Sequence, residues 1–430
     1  MKGILGALGL HPIGFWFIFW GEAAERSAYY GVLSVLATYL TDTQHYDEGH
    51  GGLIIHLFKA ACYLAPLLGG FIADRYFGRF RTIIIFAVPY LCGYPILSLV
   101  QNHLGLYLAL ALLAFGSGTI KPNLSPMMGA MYEHEGKPKE LISSAFTWFY
   151  AAINIGAAVT SIVVPWALKV YGYQKAFMVP AVLMAAALLL FWLGRKYYPP
   201  DETKFGPAKP RTTVTMATTM ADRQTLVRLM VVFTVIIFFW SVYDQTASTW
   251  IYFIRDHAIL HGMQPQQLSA VNPILIVVLS PLFNLLWGWL RIKSAVTKMK
   301  IGFWLTAACM GLMAITGLLV TSTTKVDVAW VIGATVIITF AELCISVVGL
   351  EFAFSEAPLH MRSRVTAAFL LTVFFGNLIA GVMAEVYAKV KPGLYFSGLT
   401  VLMAVIALIF MAVAKWYQVH KQRSLTTATT

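Results

Sequence analysis

Apolar stretches long enough to cross a bilayer recur along the whole chain, and they restrict its fold more than any other feature. They fall at roughly 13 to 40, 51 to 73, 82 to 100, 104 to 131, 143 to 168 and 174 to 194, then at roughly 227 to 254, 266 to 290, 300 to 320, 328 to 354, 364 to 388 and 394 to 417. A bilayer core of about 30 Å takes about 20 apolar residues per helical crossing. The expectation is an all-α membrane protein with 12 transmembrane helices. Charged residues make up only 12% of the 430, against about a quarter in globular proteins. That composition excludes a soluble fold and leaves no room for a large soluble domain.

The net charge of +12 does not point to nucleic acid, because most Lys and Arg sit at the termini and in alternate loops. The positive-inside rule then places both termini in the cytoplasm, as an even number of crossings requires. Cys62, Cys92, Cys309 and Cys344 lie within apolar stretches and read as small core hydrophobes rather than a disulfide framework or metal site. Only Lys2 precedes the first apolar run, and no small-residue cleavage pattern follows it, so a cleaved signal peptide is not expected. Residues 195–226 carry Pro199, Pro200, Pro207 and Pro210 beside a Thr-rich stretch and mixed charges, the composition of a polar linker. It divides the chain into a six-helix bundle at 1–194 and another at 227–430. Two six-helix bundles joined by a cytoplasmic linker form the architecture of the major facilitator superfamily, whose substrate site lies near the midplane between its halves.

Ionisable residues near a helix centre cost about 2.5 to 3.5 kcal/mol each on insertion scales and mark transport or proton paths. The first run holds Glu22, Glu25, Arg26, Tyr29 and Tyr30, spaced so that all five share one helical face. Carboxylates beside a fixed guanidinium can act as a proton switch, since protonating the acid frees the cation for an anionic ligand; the alternative is a structural ion pair. Lys121 lies at the centre of the fourth run beside Pro122, too deep to snorkel to the interface. In the second half Asp244 and Gln245 lie in the seventh run and Glu342 at mid-span in the tenth, with Glu351, Glu356 and Glu385 nearer span ends. Deep cations in one half and a deep anion in the other suit a zwitterionic substrate.

These residues carry a resemblance. Glu22-Ala-Ala-Glu25-Arg26-Ser27-Ala-Tyr29-Tyr30-Gly31 resembles the ExxERFxYYG signature of proton-coupled oligopeptide transporters. The likeness continues through GFIADRYFGR at 70–79, Lys121-Pro122-Asn123, Phe149-Tyr150 to Asn154-Ile-Gly156, Phe239-Trp240, Asp244-Gln245, Asn272-Pro273, Glu342 to Ser346, Gly349 to Phe352 and Ala357-Pro358. It implies symport of di- and tripeptides with protons, no cofactor and no enzymatic activity. By the same likeness Glu22 and Glu25 take part in proton coupling, Arg26 and Lys121 bind the peptide carboxylate, and Glu342 binds the amine. Asn154 and Asn272 would contact the peptide backbone, while Tyr29, Tyr30, Tyr63 and Trp240 line its pocket. Asp244 would belong to an extracellular gate, and His56 resembles the histidine of the second span in animal members.

The sequence also departs from the pattern. Ser27 replaces a Phe, Ala157-Ala158 replace Ser-Leu, and Leu33 stands where many bacterial relatives carry an arginine paired to the seventh-span acid. Another cation must then hold Asp244. We expect His56 to make a protonation-sensitive contact with it, since imidazole changes charge at ordinary external pH; Lys59, three residues on, is the rival, and a His bonded only to a backbone carbonyl is the plain alternative. The linker is too short and polar for the two extra helices of many bacterial relatives, and the loop at 321–327 too short for the external domain of animal members. Alternatives are an importer of another small solute such as nitrate, a drug exporter, or a non-transporting nutrient receptor on the same scaffold. An intramembrane protease would need paired Asp, Ser with His, or metal-ligand clusters in facing spans. The expected setting is a lipid bilayer, the bacterial inner membrane, with the chain working as a monomer.

Overall fold

The computed structural model describes residues 10–200 and 220–429. Most of the expected linker, with Pro207, Pro210 and the Thr-rich stretch, lies outside the described residues. Helices follow the apolar runs: α1 Ile13–Asp42, α2 Glu48–Ile72, α3 Arg79–Leu99, α4 His103–His134 and α5 Lys139–Gly194. Then come α6 Met220–Tyr243, α7 Thr249–His257, α8 Val271–Trp289, α9 Ala295–Leu319, α10 Ala329–Glu342, α11 Val348–Glu356, α12 Arg362–Tyr387 and α13 Pro392–Thr429. Among the described residues, ten helical stretches are long and apolar enough to cross a membrane. Helix α1 is not one of them; at 30 residues it spans about 45 Å at 1.5 Å per residue, but it carries Glu22, Glu25 and Arg26. Helix α5 counts as one stretch, yet Gly172 at φ 77° and ψ 174° interrupts it, a conformation that only glycine adopts without strain.

The chain packs as two compact units. Unit one comprises the described parts of Met1–His45, Ala61–Thr212 and Gln266–Ile274; unit two comprises those of Tyr46–Ala60, Thr213–Pro265 and Leu275–Thr430. In unit one, α1 runs along α5, and α3 packs on α4 and α5. In unit two, α9 packs on α13 and α10, and α6 on α12 and α13. The first turns of α2 therefore pack with the second unit and the rest of that helix with the first. Small residues make both contacts close, as in helix packing within membranes generally. A Cβ on Gly52 would crowd that of Ala384 in α12, and a Cβ on Gly118 of α4 would overlap that of Ala65 in α2.

Three departures from α geometry stand out. Helix α2 runs into a π-helical turn at Ala73–Phe77, after which Gly78 at φ 81° starts α3. Helix α6 ends at Tyr243 and continues as a 3-10 turn, Asp244–Ala247, before Ser248 at φ −132° and ψ −85° starts α7. Helix α10 ends at Glu342 and runs through a π-helical turn, Leu343–Val347, into α11. Such turns within helices are frequent at functional sites. A short parallel pairing of β1 Ala258–Ile259 with β2 Val326–Asp327 joins two loops of unit two. Asp327 accepts from the Ala329 backbone N–H at 2.8 Å, and its other oxygen lies 2.7 Å from His261 Nε2. Cys62, Cys309 and Cys344 are buried as expected of core hydrophobes, but Cys92 is exposed, on the α3 face it shares with Ile85 and Val88.

Candidate functional site

The 3.6-residue repeat of α1 puts its acids and its arginine on one side of that helix, and unit one buries all three. Arg26 is clasped by both oxygens of Glu25, its Nη2 lying 2.5 Å from Oε1 and its Nε bonding Oε2. The same Nη2 donates to Ser117 Oγ of α4 at 2.9 Å. Glu22 meets the guanidinium only through Oε1, at 3.7 Å from Nε, and its Oε2 has no hydrogen-bond partner among the described residues. Glu25 therefore makes the bidentate clasp, the stronger kind of carboxylate contact, and Glu22 only a longer single one.

Aromatic faces complete this side. The Arg26 guanidinium lies 5.0 Å from the Tyr29 ring centre, Tyr29 and Tyr30 meet edge to face at 5.2 Å, and Lys121 Nζ sits 4.8 Å from the Tyr63 ring centre. Lys121 is accessible, lies within electrostatic reach of Glu22, Glu25 and Arg26, and has no ion-pair partner among the described residues. Asn154 is buried and donates to the Tyr150 carbonyl one turn back at 3.0 Å. Asn272, half-buried at the start of α8, also belongs to unit one.

Unit two holds the other expected residues. Glu342 Oε2 accepts from the Tyr243 hydroxyl at 2.7 Å, and Tyr243 meets Trp240 edge to face at 5.5 Å. The contact expected between His56 and Asp244 is not made directly. Lys59 Nζ bonds Asp244 Oδ1, and Asn377 Nδ2 donates to Oδ2 at 2.6 Å. His56 stands one residue removed, its Nδ1 3.1 Å from Asn377 Oδ1 and its Nε2 2.8 Å from Ser248 Oγ. Lysine is the longer side chain, and one turn along α2 from His56 it reaches the carboxylate that the imidazole cannot. Since the Asn377 amide N–H groups serve Asp244 and the Val373 carbonyl, its oxygen takes the Nδ1 proton of His56, leaving Nε2 to face the Ser248 hydroxyl. Further out, Arg255 binds Glu48 at 2.7 Å, and His50 lies 3.6 Å from Glu385, so a polar ladder fastens this end of α2 into the unit.

Sequence reasoning missed Ser117, Tyr243, Ser248 and Asn377. Tyr243 carried a signal, since it lies three residues after Trp240 and so shares its helical face. Asn377 is a lone polar residue in an apolar run, Phe374 to Ala380.

The first unit buries two acids against a guanidinium, the second holds a carboxylate bonded by a phenol, and the helical membrane chain that carries them has the major facilitator fold. Residues 80–209 and 202–399 match the POT family, and the chain belongs to that family of transporters. It is 30% identical over 377 residues to Peptide transporter 3 of Caenorhabditis elegans, a match covering 75% of this chain and 53% of that one. It is 24% identical to the Di-/tripeptide transporter of Lactococcus lactis subsp. cremoris, covering 94% of this chain and 95% of the other. Among solved structures it is similar to the POT family transporter PepTSo, at 26% identity and a TM-score of 0.82, covering 95% of this chain and 99% of that one. The chain spans about half the length of the animal relatives it matches.

Proposed function

We propose that this chain carries di- and tripeptides inward across a membrane together with protons, by alternating access. One observation supports this above the others: Glu25 holds Arg26 with both oxygens while Lys121 rests on Tyr63 with no carboxylate partner among the described residues. A cation without a partner is ready for an incoming carboxylate, and protonation of the clasping acid would release a second one. Glu342 supplies the opposite sign for a peptide amine. Asn154, Asn272, Tyr29, Tyr30, Tyr63 and Trp240 are the proposed contacts to the rest of the peptide, and Glu22 with Glu25 the proton carriers. Lys59 and Asp244 are the proposed ion pair of the outer gate, with His56 bearing on it through Asn377. The chain needs no cofactor beyond the proton in this reading, and it moves its substrate without chemical change.

We further propose twelve crossings, counting α1 and taking α5 as two crossings that meet at Gly172, with both termini cytoplasmic. A monomer in a bacterial inner membrane is the proposed working form. Purified protein in liposomes tests the function. Dialanine should accumulate under an inward proton gradient, and collapsing the gradient should abolish accumulation. Binding without accumulation would make the chain a receptor, and gradient-driven uptake of nitrate in place of dialanine would move it to another solute.

A further inference from the structure

Glu342 is held by a neighbour that no charge pattern would single out. The Tyr243 hydroxyl donates to its Oε2 at 2.7 Å, and both side chains are half-buried. The phenol ring is itself fixed: it stacks on Phe239 at 5.5 Å and 26°, and meets Trp240 at 5.5 Å and 89°. The two partners also sit at matching places in the fold. Tyr243 is the last residue of α6 before the 3-10 turn, and Glu342 the last of α10 before the π-helical turn. The bond thus ties together two helices where each leaves regular α geometry.

The chemistry of the donor matters. Asp244, the very next residue, is met by the ammonium of Lys59, which cancels its charge. A phenol orients a carboxylate without cancelling its charge. A glutamate has three side-chain torsions, and ordering them when a ligand arrives costs affinity. A donor that fixes them beforehand removes that cost for one kind of ligand only, the kind that bonds to the carboxylate.

We propose that Tyr243 is a positioning residue for amine recognition. Its hydroxyl presets the Glu342 carboxylate and thereby determines how strongly the chain prefers a peptide with a free amine over the same molecule without one. This rests on the reading of Glu342 given above. The ligands that separate the cases are dialanine and N-propionyl-alanine, which is dialanine without its amine. Affinities for both are measured by calorimetry on the purified wild type, Tyr243→Phe, Glu342→Gln and the double variant, with thermal melting as the check on folding.

In Tyr243→Phe the affinity for dialanine should fall on the order of ten-fold, the scale of one hydrogen bond to a charged group, while that for N-propionyl-alanine moves less than about two-fold on the same reasoning. Adding Tyr243→Phe to Glu342→Gln should change nothing further, since both act on one contact. Equal losses for the two ligands, an unchanged preference, or additive losses in the double variant overturn the proposal. Should Tyr243→Phe not fold, Phe239→Leu, which removes the stacked ring and keeps the hydroxyl, should erode the same preference, and an intact preference there overturns it. A wild type that binds no dialanine overturns the functional reading and this inference with it. A wild type that binds dialanine while Tyr243→Phe keeps full amine preference overturns this inference alone.

Discussion

Asp244 is engaged on both oxygens, by Lys59 and by Asn377, with little of either charged side chain exposed. Removing one partner of a buried pair strands the other charge and costs about 3 to 5 kcal/mol. Lys59→Ala should therefore lower the melting temperature clearly, and adding Asp244→Asn should recover much of the loss; a double variant as unstable as the single one would show that the pair is not what holds this region. His56→Ala removes bonds to neutral partners only and should leave the pH profile of uptake nearer the wild type than Lys59→Ala does. Lys121→Ala should weaken dialanine binding about ten-fold or more, the scale of a charged hydrogen bond, yet barely affect amidated dialanine, which lacks the carboxylate. Parallel losses for the two ligands would remove Lys121 from the carboxylate site. The charged members of the site were legible in the sequence because charge is rare in the apolar runs that hold them. The choice between His56 and Lys59 was not, since both lie on one side of α2 and only the height of Asp244 on the neighbouring helix decides which reaches it.

Helix bounds were legible where Gly, Pro or charge ends an apolar run: the run at 13 to 40 becomes Ile13–Asp42 and that at 300 to 320 becomes Ala295–Leu319. The breaks at Asp244 and Glu342 were not, because neither Asp244–Ala247 nor Leu343–Val347 contains Gly or Pro. Local propensity therefore gives no sign of either turn. Close packing between helices is testable at Gly118, where Leu would drive into Ala65 and separate α4 from α2. Overpacking of this kind costs about 1 to 3 kcal/mol, so Gly118→Leu should melt earlier and bind dialanine more weakly, whereas Gly129→Leu, with nothing within 4 Å of its added carbon, should do neither. In the loops, the Ala329 backbone N–H, and next to it His261, holds the Asp327 carboxyl below the usual aspartate range. A depressed value means that its contribution is present above the ordinary aspartate pKa of about 3.9 and is lost as pH falls through the folded value. Amide exchange at Val328, whose N–H donates to Ile259 at 3.2 Å, should speed up in that acid range after correction for intrinsic rates. Asp327→Asn should remove this pH dependence.

At the scale of the whole chain, the class of fold was legible because apolar length is a property of sequence alone. The division of α2 between two units was not, because an uninterrupted helix carries no mark of where its neighbours change. That division is maintained by named contacts: Gly52 on Ala384 and His56 on Asn377 at the start of the helix, and Gly118 against Ala65 further along. Three of the four cysteines are enclosed, and Cys92 alone is open, midway along an apolar helix among Ile85 and Val88. Maleimide adds to the thiolate, which hydrocarbon disfavours, so the folded protein in a bilayer should react slowly even with a membrane-permeant maleimide fluorophore, and a rise in labelling on heating should give a built-in optical report of the fold coming apart that needs no engineered thiol.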